Sequence, residues 1–184
     1  ANSPSSVVFQ GISMDWSAGP RSSWSENGSD LSFVPFIWYG EDDPILVSMG
    51  EAAQNGTPWG TLAMYERAPA DEAAVSNATI PVERINGPVL LLSAGKDTVW
   101  PSSQMSREIM ARLAEFRHPF PDMRLDYPES GHMIRTPWQS TMLNRIYLPG
   151  GMIEDLGGIP PENANAAVDS WPKVQEFLRV ALGV

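Results

Sequence analysis

Two side chains in this 184-residue chain have the type and setting for proton-transfer chemistry, Asp97 and His132. Asp97 follows the apolar run Gly87-Pro-Val-Leu-Leu-Leu-Ser93 across the turn Ala94-Gly95-Lys96. His132 follows the alternating segment Met123-Arg-Leu-Asp-Tyr127 across Pro128-Glu-Ser-Gly131. A carboxylate paired with an imidazole fixes its tautomer and orientation, and the other ring nitrogen can then take a proton from a nucleophile. An acid and then a histidine on consecutive late strands is the order of the α/β hydrolases, Ser…Asp…His. Singly, each residue has a plainer reading. Asp in a Gly-Lys-Asp turn closes or caps the turn, and a lone loop histidine faces solvent or bonds locally. The other histidine, His118, stands before Pro119 at a predicted helix end, where contact with the last helix carbonyls is the expectation.

The elements that must position the pair form a strand-helix-strand unit. The run over 88–93 reads as a strand buried on both faces, as in a parallel sheet. Pro101-Ser-Ser opens a helix capped by Ser102 or Ser103, with Met105, Ile109, Leu113 and Phe116 in one apolar stripe, and His118-Pro119 ends it. Residues 123–127 alternate as a second strand. The short links imply parallel strands joined by a right-handed crossover, which puts both loops at the same end of the sheet, where such sheets gather functional groups. A Pro- and Gly-rich stretch follows. The chain closes on a helix with Trp171, Val174, Leu178 and Ala181 on one face and Pro172 in its first turn or at a kink.

The first half is less regular. Ser6-Val-Val-Phe-Gln10 reads as a short strand, and Gly11 to about Asp43 as an irregular Gly-, Ser-, Pro- and Trp-rich excursion. Short helices are expected at Pro44–Ala53, with Ile45, Met49 and Ala52 on one face, at Gly60–Arg67 and at Ala70–Asn77.

Composition narrows the chemistry. A formal net charge of -10 argues against nucleic acid as the main partner. With no cysteine and two histidines, thiolate and histidine-rich metal sites are not expected. No apolar stretch approaches a membrane span. Ala1–Ser6 does not read as a signal peptide. The C-terminus Ala181-Leu-Gly-Val184 is not of the Ser-Lys-Leu type, so a cytoplasmic location is the expectation.

The wording of several segments is more specific. Ser3-Pro-Ser-Ser-Val-Val-Phe-Gln-Gly11, Ile80-Pro-Val-Glu-Arg-Ile-Asn-Gly-Pro-Val-Leu-Leu-Leu-Ser93, Lys96-Asp-Thr-Val-Trp-Pro-Ser102 and Tyr127-Pro-Glu-Ser-Gly-His132 resemble the C-terminal domain of acyl-CoA thioester hydrolases and bile acid-CoA:amino acid N-acyltransferases. The tail from Gly157-Gly-Ile-Pro160 through Asp169-Ser-Trp-Pro-Lys173 is similar to the same family, and the likeness is weakest between Trp16 and Ala78. The resemblance implies the C-terminal half of an α/β-hydrolase fold as a single partial domain over 1–184, acting on an acyl-CoA or related thioester without a cofactor. It implies Asp97 as the triad acid and His132 as the general base. The family's nucleophile, Ser or Cys on a strand-to-helix elbow, would fall roughly 20 to 25 residues before Ala1. Gly11-Ile-Ser13-Met-Asp15 begins like an elbow but lacks the closing small residue. No nucleophile is therefore expected in this chain, and the chain alone is expected to be inactive. The resemblance also leaves the strand over Val7–Phe9 without its sheet neighbour, so self-association or an N-terminal partner chain is expected.

Residues 12–79, with Trp16, Trp24, Phe33, Phe36, Trp38 and Trp59, form an insertion where α/β hydrolases often place a lid. It either covers an acyl chain or packs onto the domain. Trp24, Trp38, Trp100 and Arg135 are candidate substrate contacts, with Arg21, Arg135 and Arg145 for the anionic CoA moiety; solvated surface arginine is the plainer reading of each. Two other functions stay open: an esterase of the dienelactone-hydrolase type on the same scaffold, and a non-catalytic fragment or subunit that binds a partner.

Overall fold

The computed structural model describes residue 22, residues 24–148 and residues 151–183. The expected strand over 6–10, Ser13, Trp16 and Arg21 lie outside the described residues. At the centre, strand β4 (Leu90–Ala94) pairs in parallel with β5 (Met123–Tyr127), Leu90 opposite Met123 through Ala94 opposite Tyr127. Helix α4 (Ser102–Glu115) connects them and packs on both strands. The last helix, α5 (Pro160–Leu182), packs against β4. Residues 124 and 126 turn toward α4, and Tyr127 turns the other way to donate to Asp169 of α5.

The face toward α4 is polar but satisfied. Ser93 donates to Asp126, Ser106 to Ser93, and Arg124 to Ser106 and Ser103. Each group so buried has a partner, which removes the desolvation penalty an orphan would carry. The apolar run is not sealed on both faces: Leu92 is 38% exposed. Among the described residues β4 hydrogen-bonds a strand on one side only, so no second neighbour covers it.

The expected elements shift in specific ways. Pro101, not a serine, is the N-cap of α4, because Ser102 Oγ is taken up by the backbone of Ala94. The helix stops at Glu115, where Arg117 takes a positive φ of 52°. Met105 and Leu113 are buried, but Phe116 lies past the end of the helix, exposed beneath the Arg112 guanidinium. Helix α5 begins at Pro160-Pro161, so Pro172 falls in its interior. Its buried face is Asn163, Ala166, Ala167 and Ser170, whereas Trp171, Leu178 and Ala181 are exposed. A start twelve residues before Pro172 moved the buried stripe to the small residues of its first half.

The first half contains a hairpin that hydrophobic patterning does not reveal. Strands β1 (Ser25–Glu26) and β2 (Ser29–Asp30) are joined by Asn27-Gly28, both at positive φ. That dipeptide suits a tight hairpin turn, but the strands are polar and show no alternation. Helices α1 (Pro44–Asn55), α2 (Leu62–Arg67) and α3 (Glu72–Asn77) occupy the expected places. Asp43 caps α1 through the Ile45 amide, and its other oxygen meets Tyr39 N and Arg67. Two small cores form here: Tyr65 with Met105, and Val34 with Ala68 and Ala78, with Phe36 packed against both. The Pro- and Gly-rich stretch supplies two strands of a three-stranded sheet. Strand β7 (Ile153–Asp155) lies between β6 (Arg145–Tyr147), antiparallel, and β3 (Pro58–Trp59), parallel. Residues 58–59 are thus tied by β3 to a strand that follows His132.

His118 is a clasp between the starts of β4 and β5. Its Nε2 lies 2.8 Å from the Ile85 carbonyl, and its Nδ1 lies 2.7 Å from Asp122, which also accepts from Val89 N. It does not reach its own helix carbonyls with its ring, because Arg117 turns the chain away first. Both ring partners are acceptors, so both nitrogens must donate, and that is the imidazolium. The Ile85 carbonyl, then the Asp122 carboxylate, hold its pKa above the ordinary 6.5. A raised folded value means that the stabilisation is complete below the unfolded value and is lost as pH rises through the folded one. His118→Gln should therefore melt well below the parent chain at about pH 5.5, with the gap narrowing by about pH 8.5. Thermal denaturation of both proteins across that range checks this, and a gap that widens with pH would contradict it.

Candidate active site

The parallel register of β4 and β5 continues into the loops at their carboxyl ends. Gly95 N donates to the Tyr127 carbonyl at 3.0 Å, and Lys96 N to the Ser130 carbonyl at 2.9 Å. Gly95 has to be glycine, since a Cβ there would lie 2.4 Å from the Pro128 oxygen. Two residues later comes Asp97, 6% exposed. Its Oδ1 accepts from Val99 N at 2.9 Å and Trp100 N at 3.2 Å, which fixes the carboxylate in the turn before α4. Its Oδ2 is then aimed at His132, with Nδ1 at 3.2 Å.

The histidine loop is held by backbone contacts. His132 N donates to the Leu156 carbonyl at 2.7 Å, just beyond β7. Gly131 packs so closely on the following turn that a Cβ would lie 2.1 Å from the Gly157 oxygen. Gly157 and Gly158, at φ 71° and 65°, turn the chain at the contact. Asn163 of α5, 4% exposed, closes it: its Oδ1 accepts from Gly131 N at 2.8 Å and Ser130 Oγ at 3.0 Å.

The chemistry follows from which atoms donate. A carboxylate oxygen accepts, so Nδ1 of His132 is the donor to Asp97, and the neutral ring keeps its lone pair on Nε2. Among the described residues, no hydrogen bond engages Nε2, which leaves it available to a proton. The Trp100 ring meets the His132 ring edge-on, centroids 4.5 Å apart, and limits its rotation. From Trp100 an aromatic series runs outward through Tyr65 at 5.9 Å and Phe36 at a further 5.3 Å to Trp38 at 6.0 Å. Trp100 and Trp38 therefore belong to one chain of ring contacts that starts at the imidazole and runs through the buried Tyr65. Trp24 is apart from it, exposed beside the hairpin. Arg135 is half-buried three residues past His132, and Arg145 is exposed on β6, paired across the sheet with Asp155.

Three residues near the pair carry no motif: Tyr65, Glu154 and Asn163. Glu154 on β7 is half-buried; burial raises its carboxyl pKa first, attraction to His132 when that ring is protonated opposes this, and the charge of Asp97 adds to it. Burial, then the charges of Glu154 and Asp97, push the Tyr65 phenol up. Only the Gly157-Gly158 pair ahead of two prolines hinted that a tight turn stood there. Among the described residues no group of three potential metal ligands forms.

Residues 36–184 match the family model described as BAAT / Acyl-CoA thioester hydrolase C terminal. The chain is similar to acyl-coenzyme A thioesterase 6 of Mus musculus, 30% identical over 100 residues, 54% of this chain and 24% of the relative. It is 33% identical over 104 residues to acyl-coenzyme A thioesterase 1 of Homo sapiens, 56% of this chain and 24% of that protein. The same identity and length hold for the human mitochondrial acyl-coenzyme A thioesterase 2, of which 21% is covered. The aligned part thus spans about a quarter of the length of these curated relatives.

The Asn163 contact makes a measurable claim about the histidine loop. Asn163→Ala leaves the Gly131 amide and the Ser130 hydroxyl buried without their acceptor, which should cost about 1–3 kcal/mol. Urea denaturation of both proteins measures it; a loss under about 0.5 kcal/mol would mean that the amide carbonyl does not hold the loop.

Proposed function

The chain belongs to the BAAT / acyl-CoA thioester hydrolase C-terminal family, an α/β-hydrolase-like domain, and from that premise we propose that it supplies the acid and base of a thioester-cleaving triad. The observation that carries this reading is the 3.2 Å contact of Asp97 with Nδ1 of His132, on loops that leave the same end of two parallel strands. In the longer protein that provides a serine or cysteine elbow, Nε2 of His132 takes the nucleophile's proton as it attacks the acyl carbonyl. Asp97 stabilises the imidazolium that forms. The protonated His132 then gives its proton to the leaving thiolate of CoA. Water, deprotonated by the same nitrogen, releases the acid from the acyl-enzyme. Hydrolysis is chosen over transfer to an amine because the similar proteins are thioesterases by name.

The residues in this reading form the C-terminal half of the hydrolase domain, a single unit over 1–184. Residues 12–79 act as its lid. The half-buried rings Trp100, Phe36 and Trp38, packed around the buried Tyr65, would give an acyl chain apolar contacts leading away from the reacting carbon. Arg135, half-buried beyond the histidine, is placed to meet the anionic part of CoA. Without the elbow the residual rate is small, because triad members act as a unit.

Two assays test this together. In the longer protein, His132→Ala should lower kcat/KM on an acyl-CoA by about 10⁴-fold or more, and Asp97→Asn by a comparable factor because the base is left misoriented. The 184-residue chain alone should release no CoA thiol above background. Near-normal turnover in either variant, or turnover by the chain alone, would refute the assignment.

A further inference from the structure

Strand β7 is joined to both loops of the acid–base pair. Its Asp155 carbonyl accepts from Thr98 Oγ1, beside Asp97, at 2.8 Å, and the next carbonyl, Leu156, accepts from His132 N. Glu154 immediately precedes these two acceptors. Its partners across the sheet are Trp59 on β3 and Ile146 on β6, neither of them ionisable. Arg145 and Tyr147 pair with Asp155 and Ile153, and strand alternation places them on the opposite face from Glu154. Among the described residues, the ionisable groups within electrostatic reach of Glu154 are His132, Asp97 and Tyr65. Tyr65 touches Trp100, and Trp100 touches His132, so all four belong to one cluster.

Resting on the reading of His132 as the base, we propose that Glu154 is a positioning residue: a second carboxylate beside the pair that stabilises the protonated imidazole and sets the pH above which His132 can accept a proton. An anion near an imidazole favours its charged form. Asp97 supplies one such charge through a hydrogen bond. Glu154 supplies another through space, and its half-buried setting weakens the screening by water. Burial also raises the Glu154 carboxyl pKa above its ordinary value, so its charge forms at a higher pH than that of an exposed glutamate.

The interaction is reciprocal, so it can be read from either partner. The experiment is an NMR titration of the 184-residue chain, following the His132 ring carbons and nitrogens and the Glu154 side-chain carboxyl carbon. The chain has two histidines, so His118→Gln assigns the signals. Glu154→Gln should lower the apparent pKa of His132 by about one unit, and Glu154→Asp should restore part of it. His132→Gln should raise the apparent pKa of Glu154 by a similar amount. A residue that only packs would leave the His132 titration unchanged in Glu154→Gln, and that result would overturn the proposal. Should Glu154→Gln fail to fold, the His132→Gln arm decides, and an unmoved Glu154 titration overturns it equally. The functional reading fails separately, by retained turnover of His132→Ala in the longer protein, which leaves these titrations untouched.

Discussion

Where Gly131 passes Gly157 and Gly158, the backbones lie too close for any side chain to stand between them. The position of His132 depends on that approach. It lets the His132 amide reach the Leu156 carbonyl and lets Asn163 cap the loop from α5. It also brings Gly157 against the Lys96 carbonyl, on the loop of the acid. Glycines with positive φ lose much conformational freedom on folding. Here the cost is offset by backbone hydrogen bonds in a buried setting, and the result is a loop fixed through main-chain atoms rather than side-chain packing. An imidazole placed this way keeps its orientation, with the edge-on Trp100 ring limiting its rotation.

The two histidines show how environment assigns a role. His118 has an acceptor at each nitrogen, the Ile85 carbonyl and the Asp122 carboxylate, and such a ring must carry both protons. It is a structural cation that holds the starts of two strands together. His132 has a carboxylate at Nδ1 and an aromatic ring against its side. It therefore presents a lone pair, which is what a proton acceptor needs. The sequence patterns around the two residues are similar, each in a Pro-containing loop beside β5, and only the partners separate them.

The central strand-helix-strand unit was legible because its signals are local. A continuous apolar run, a 3.6-residue stripe and an alternating segment each name an element, and short links leave one economical way to join them. Asp97 and His132 followed from that frame. What patterning could not reach were pairings over long separations. Strand β7 is held by β3, nearly a hundred residues earlier, and both are too short to show alternation. Glu154 and Tyr65 were invisible for that reason, since their relevance lies in a neighbour that only the folded chain supplies. The buried face of α5 was misplaced because it is lined by Asn, Ala and Ser, while the larger Trp171 and Leu178 face outward. Small residues there allow a close approach to β4, which hydrophobicity alone does not signal.

One hydrogen bond, from Nδ1 of His132 to Asp97, makes the imidazole a base. The tautomer of His132 reports on it directly. In a uniformly ¹⁵N-labelled chain above the imidazole titration, long-range ¹H–¹⁵N correlation distinguishes the protonated from the bare ring nitrogen. The account predicts that the proton sits on Nδ1 and that it transfers largely to Nε2, the usual preference of a free imidazole, in Asp97→Ala. A neutral His132 that carries its proton on Nε2 in the unaltered chain would contradict it, because the atom required to accept a proton would already hold one.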